Sequence, residues 1–181
     1  MIRAATPADV PAVLAMIREL AEYERALDEV RATPGQLHEA LFGEGATVHA
    51  LIAESDENAG EEESGGGEVV GFALWFRNFS TWTGTHGVYL EDLYVRPHAR
   101  GGGHGRALLA ELARICVERG YRRFEWSVLD WNAPSIAFYR SLGAEPMDEW
   151  TVQRMSGEAL QRLAALAQSD ENPNKAISLS I

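Results

Sequence analysis

The chain has 181 residues, 46% apolar and 24% charged, with a formal net charge of −11 at pH 7. That length and balance describe one globular domain with a substantial core. They exclude a membrane-spanning segment, since no apolar run approaches roughly 20 residues, and the lack of a basic stripe argues against a nucleic-acid surface. The opening "MIRAATPADV" lacks the apolar stretch of a signal peptide. The single cysteine, Cys116, excludes an internal disulfide and falls in a helical pattern where it reads as core. A cytoplasmic protein is expected.

In chain order, "IRA" at 2–4 predicts a short first strand. Thr6-Pro7-Ala8-Asp9 then predicts a helix start, with Val10, Val13, Leu14, Ile17, Leu20 and Ala21 following at helical spacing. A second start is Thr33-Pro34-Gly35-Gln36, with Gln36 closing a capping box. The β-rich runs 47–54 and 68–77 read as hairpin strands flanking "ESDENAGEEESGGGE" at 54–68. That segment holds seven acids and no base, which locates much of the net charge, and about 55–67 is expected to be a flexible solvated connection. A minority reading makes it an electrostatic guide for cations.

Further strands are predicted at 87–96 and 122–130, and a last one at "WTVQRM". Trp75, Trp126 and Trp150 read as sheet-covering aromatics. A helix is predicted from about Gly105 to Arg119, ended by Gly120, and a short one from Asn132 to Gly143. Ser156 is expected to cap a final helix carrying Leu160, Leu163 and Leu166, with 169–181 a polar tail. Strands and helices interleave around one sheet over 1–168, so the class is α/β.

The most informative stretch is "VRPHARGGGHGRALL" at 95–109, a strand, a glycine-rich turn and a helix. Successive backbone N–H groups in such a turn, with a helix N-terminus behind them, cradle anions. Two phosphate motifs fail here. Arg106 and Ala107 follow Gly105 where a Walker loop needs Lys and Ser or Thr, and Gly101, Gly103 and Arg106 break the dinucleotide pattern at its third glycine.

What does match is R-x-x-G-x-G, in Arg100, Gly103 and Gly105, after "YLEDLYV" and before "WNAPSIAFYRSLGA". In this ordered set the chain resembles the GCN5-related N-acetyltransferases (GNAT). "IRELAEYE", "VVGFALWF" and Trp82 make it most similar to the diamine (spermidine/spermine) acetyltransferase branch. The resemblance implies a GNAT fold, with a mixed, mostly antiparallel central sheet flanked by helices. It also implies acetyl-CoA as cosubstrate and a homodimer with the amine site near the interface. Coenzyme A would contact Leu93, Tyr94, Val95, Arg100, Gly101, Gly102, Gly103, His104, Gly105, Arg106, Asn132, Ser135 and Tyr139. The oxyanion donors would be the backbone N–H groups of Leu93 to Val95.

Acetyl transfer needs a neutral amine, yet alkylamines are mostly protonated at pH 7. A carboxylate in reach can take that proton. Glu91 and Asp92 are adjacent in a strand and are expected to project to opposite faces. The resemblance assigns Glu91 as base or water-mediated relay and Tyr139 as the phenol that protonates the leaving thiolate. Asn132 also suits a helix N-cap. His98 and His104, with no Cys or Asp cluster beside them, predict no metal site.

Tyr23, Glu24, Trp82, Glu91 and Asp92 would line an acidic, aromatic amine cleft. The implied reaction is acetyl transfer to a small primary amine, a di- or polyamine. Ser80, where the polyamine-type pattern carries an acid, keeps thialysine-like and other amino-acid-like amines open. A protein amine substrate and a non-catalytic acyl-CoA-binding module are the remaining alternatives.

Overall fold

A computed structural model of the chain describes residues 1–55 and 67–169. The acidic connection at 56–66 and the tail from 170 lie outside the described residues. The chain divides into two compact units, Met1–Asp130 and Trp131–Ile181.

The first unit is a five-stranded sheet in the spatial order β1 (Ile2–Ala4), β2 (Val48–Glu54), β3 (Val69–Ser80), β4 (Thr85–Val95), β5 (Phe124–Trp126). β1 to β4 pair antiparallel and β5 joins β4 in parallel. Three helices accompany it: α1 (Val10–Tyr23), α2 (Pro34–Phe42) and α3 (His104–Glu118). Val10, Val13, Leu14 and Met16 of α1 meet Leu37 and Leu41 of α2 over Ala50, Ile52, Phe72, Leu74 and Tyr94. Strand residues alternate faces, so Leu51, Ala53, Ala73 and Trp75 turn the other way. α3 supplies that side with buried Leu108, Leu109, Leu112 and Cys116. Burial pushes the Cys116 thiol up, which agrees with a core role.

The hairpin ladder runs further than the residue types suggest. Arg77 to Ser80 pair with Val88 to Thr85, although Asn78 and Ser80 are polar. The turn closes on Ser80, whose Oγ accepts from the Thr83 N–H at 3.3 Å and whose carbonyl accepts from Gly84 at 2.9 Å. The helix signals hold where local chemistry dictates them. Thr33 Oγ1 accepts from the Gln36 N–H, and Gln36 Oε1 accepts from the Thr33 N–H. α3 ends through Gly120 at φ 68°, with the Tyr121 N–H donating to Cys116 O at 2.8 Å. α1 ends by the same motif, but Arg25 occupies its left-handed position at φ 61°.

Several expectations are corrected. β5 covers only Phe124–Trp126 of the predicted 122–130, because its parallel partner strand changes register just beyond. Residues 150–155 form no strand, since no described segment supplies a ladder partner. Trp150 is 66% exposed. The second unit holds α4 (Ala133–Ser141) and α5 (Gly157–Ser169), the latter starting directly after Ser156. Glu54 belongs to no solvated loop. It ends β2, is buried, and binds Arg3 Nε at 2.7 Å. Glu68 pairs with Arg96 at 3.6 Å and His98 at 3.4 Å.

Arg3 joins β1, β2 and the turn leading into α1. Its guanidinium donates to both Asp9 oxygens, at 2.7 and 2.8 Å, while Asp9 also accepts from the Thr6 N–H and hydroxyl. The Arg3 bonds hold the Asp9 carboxyl at about 2, against the opposing effect of burial. Its stabilisation is therefore present above the unfolded carboxylate value of roughly 3.9 and lost as pH falls through about 2. Asp9→Asn should cost on the order of 1–3 kcal/mol at pH 6. Urea unfolding at pH 6, 4 and 2.5 should show the gap from wild type narrowing toward the acid end.

Candidate active site

β4 carries an extra residue. Trp75 pairs with Leu90 and Leu74 with Asp92, so Glu91 is the inserted residue of a β-bulge. The main-chain hydrogen bonds show what this does. Before the bulge the Val88 N–H donates to Arg123 O, on the β5 side. After it the Arg96 N–H donates to Val70 O, on the β3 side. Even-numbered residues thus switch neighbours, and Leu93 and Val95 address the side on which β5 pairing ends at Leu90. Tyr94, among the expected main-chain donors, instead directs its N–H into the sheet by the same alternation, and its side chain is core.

The bulge also resets the two acids. Asp92 stands opposite Leu74, on the face that α1 covers, while Glu91 is exposed. The expectation of opposite faces assumed regular alternation, which the inserted residue removes. Burial, then the charges of Glu91 and Glu24, push the Asp92 carboxyl up to about 6. Burial also raises Glu24, at the end of α1. The structure thereby brings Glu24, Glu91 and Asp92 within electrostatic reach of one another. Tyr23 joins them, next to Glu24 and beneath the Arg100 guanidinium. Trp82 does not. It is 88% exposed in the β3–β4 turn, on the order of 20 Å along β4 from the bulge.

Beyond β4, a turn at Pro97–Ala99 leads through Arg100 to α3. Gly101 and Gly103 adopt φ 85° and 83°, and a Cβ at either would meet no protein atom within 4 Å. The space beside both is open. The first α3 bond is Ala107 N–H to Gly103 O, so the N–H groups of His104, Gly105 and Arg106 have no preceding helical carbonyl. With exposed Arg106 beside them, these groups fit a diphosphate. Gly102 lies against the His104 ring, where a Cβ would come within 3.2 Å.

Arg100 also makes contacts within the protein. Its Nε donates to Val95 O at 2.9 Å, and its guanidinium lies over the rings of Tyr23 and Tyr94. Sequence reasoning missed these contacts and the bulge. No local signal marks the bulge, since regular alternation accommodates two successive acids by placing one on each face.

Asn132, Ser135 and Tyr139 belong to the second unit. Asn132 caps α4, its Oδ1 accepting from the Ser135 N–H at 3.3 Å, and Tyr139 stands beside Phe138 on that helix. Among the described residues no group of three His, Cys, Asp or Glu side chains is placed to hold a metal ion.

A raised Asp92 value means that the folded state binds this proton more tightly than the unfolded chain does. Stability therefore declines as pH rises from about 4 through about 6. Asp92→Asn should be more stable than wild type at pH 7.5 by up to about 2 kcal/mol and nearly equal to it at pH 4. Thermal unfolding at the two pH values measures the difference.

The comparisons with known proteins converge on this geometry. Residues 15–144 match the profile of the acetyltransferase (GNAT) family. The thialysine N-epsilon-acetyltransferase of Sus scrofa is 40% identical over 91% of this chain and 96% of its own length. The L-ornithine N5-acetyltransferase of Arabidopsis thaliana is 31% identical over 91% of this chain and 88% of its own. Among solved structures, an integron cassette protein from the mobile metagenome of V. cholerae superposes with a TM-score of 0.71, at 26% identity, covering 91% of this chain and 96% of that one. No described helix is long and apolar enough to cross a membrane. By the family profile and by these relatives the chain belongs to the GNAT family, and it is an acetyl-CoA-dependent N-acetyltransferase.

Proposed function

We propose that the chain acetylates the side-chain amine of a small amino-acid-like substrate of the thialysine or ornithine kind. The observation that carries this reading is the similarity, over nine-tenths of the chain, to the thialysine enzyme, supported by the ornithine enzyme at lower identity. The acids Glu24, Glu91 and Asp92 suit a cationic amine in either case. A polyamine substrate is the second reading, favoured by that same acidity, which would hold a doubly charged amine well.

In the reaction, acetyl-CoA supplies the acyl group as a thioester, and its diphosphate would lie on the main chain of Gly101 to Arg106. The N–H groups of Leu93 and Val95, on the open edge of β4, are aimed where a thioester carbonyl would develop negative charge. Glu91 takes the proton of the ammonium, directly or through one water. Asp92 and Glu24 hold the substrate's cationic end, with Tyr23 as a wall. Tyr139 returns a proton to the leaving thiolate, while Asn132 and Ser135 contact the cosubstrate arm. The span 1–168 acts as one acetyltransferase domain, since the family profile runs across both units. The enzyme works in the cytoplasm as a homodimer, without nucleic-acid or membrane partners. Support for the dimer comes from Leu160, Leu163 and Leu166, an exposed apolar row on α5.

The test is coenzyme A release with thialysine, ornithine, lysine, putrescine and spermidine. Thialysine or ornithine should give the highest kcat/KM; spermidine giving the highest would reassign the substrate to the polyamine class. Glu91→Gln should lower kcat/KM by about 100-fold or more at pH 7. The deficit should shrink toward pH 9.5 as more amine is already neutral, and a pH-independent loss would make Glu91 a positioning group. Gly103→Asp should abolish acetyl-CoA binding in calorimetry, because it puts a carboxylate in the cradle and a side chain on a backbone at φ 83°.

A further inference from the structure

The cosubstrate turn and the end of α1 are joined by one side chain. The Arg100 guanidinium carbon lies 5.8 Å from the centroid of the Tyr23 ring and 5.7 Å from that of Tyr94. Its Nε holds the Val95 carbonyl at 2.9 Å. No described carboxylate lies within ion-pairing distance of it, so the rings and that carbonyl are its described partners. One turn earlier on α1, Glu19 takes Arg96 Nη2 at 3.3 Å. Glu19 and Tyr23 are four residues apart, hence neighbours on one helix face. That face meets Arg96 and Arg100 in succession. Tyr23 and Glu24 sit directly before Arg25, whose positive φ is an uncommon conformation for a side-chain-bearing residue. The last turn of α1 is thus held by its partners as well as by local preference.

We propose that Arg100 is a positioning residue that locks the glycine turn to the Tyr23–Glu24 end of α1, so that cosubstrate and amine subsites are held in one geometry. This rests on the acetyltransferase reading of the two subsites. A cation that served only as a phosphate counter-charge would be replaceable by lysine and indifferent to Tyr23. A guanidinium that bonds a carbonyl through its Nε while its carbon lies over two rings is neither, because lysine has no counterpart to that Nε.

The experiment compares Arg100→Lys, Arg100→Gln, Tyr23→Ala and the Tyr23→Ala/Arg100→Gln double variant. Acetyl-CoA affinity is read by calorimetry, amine KM by coenzyme A release, and amide hydrogen exchange at residues 24–26 by mass spectrometry. Tyr23→Ala should weaken acetyl-CoA binding roughly 3- to 10-fold, the span of a partly exposed cation–π contact. It should add nothing in the Arg100→Gln background. Arg100→Lys should behave like Arg100→Gln, and both should raise amine KM and speed exchange at 24–26 while leaving Val13–Met16 unchanged. Unaltered acetyl-CoA affinity in Tyr23→Ala, or full rescue by lysine, would overturn the proposal. If wild type bound no acetyl-CoA, the functional reading would fail, and exchange would still decide the clamp: faster exchange at 24–26 in Arg100→Gln supports it, and unchanged exchange overturns it.

Discussion

A strand can address its two neighbours only by alternation, and one residue too many reverses every assignment that follows. In β4 that residue is Glu91. Up to Leu90 the strand serves β3 and β5 in regular alternation; past it, the pairing with β5 stops and Leu93 and Val95 turn their main chain to a free edge. The same insertion moves Asp92 onto the α1 face, where burial and two neighbouring acids keep its carboxyl near 6. The open edge and the set of acids, proposed to receive the thioester and the amine, are thus two consequences of one irregularity. A regular strand would have paired the edge with β5 and sent Asp92 toward α3.

Such a site is held against its own preferences, and the surroundings show how. A half-buried carboxylate beside two others costs stability at neutral pH, as functional sites often do. Stabilisation comes from elsewhere in the first unit. Arg3 links β1, β2 and the start of α1 through Asp9 and Glu54, while Glu19 and Tyr23 anchor the other end of α1 on Arg96 and Arg100. α1 is therefore fixed at both ends by arginine, once through carboxylates and once largely through rings. The strained Arg25 turn follows directly, and Tyr23 and Glu24 are presented from a helix end with little freedom to move.

The acidity of the chain also reads differently once partners are known. Glu54 and Glu68 bound the acidic connection in sequence, yet both are structural counter-charges, to Arg3 and to Arg96 with His98. Net charge alone therefore says little about what the enzyme attracts. The carboxylates proposed to meet a cationic amine are Glu24, Glu91 and Asp92, drawn from two elements far apart in the chain.

What the sequence by itself determined was whatever depends on residues a few positions apart. The Thr33–Gln36 box, the α3 stop at Gly120, the glycine turn and the ordered segments that mark the family are all local, because caps and turns are satisfied within one turn of backbone. Local pattern misled where a partner decides. The run at 150–155 reads like a strand and pairs with no described segment, and Asn78 and Ser80 look like loop but lie in a ladder. Only the tertiary structure decided the Glu91 bulge, the raised Asp92, the separation of Trp82 from the acids and the seat of Arg100. Each of these depends on the register of β4 against β3 or on the approach of α1, and such long-range contacts leave no periodic trace in either segment alone.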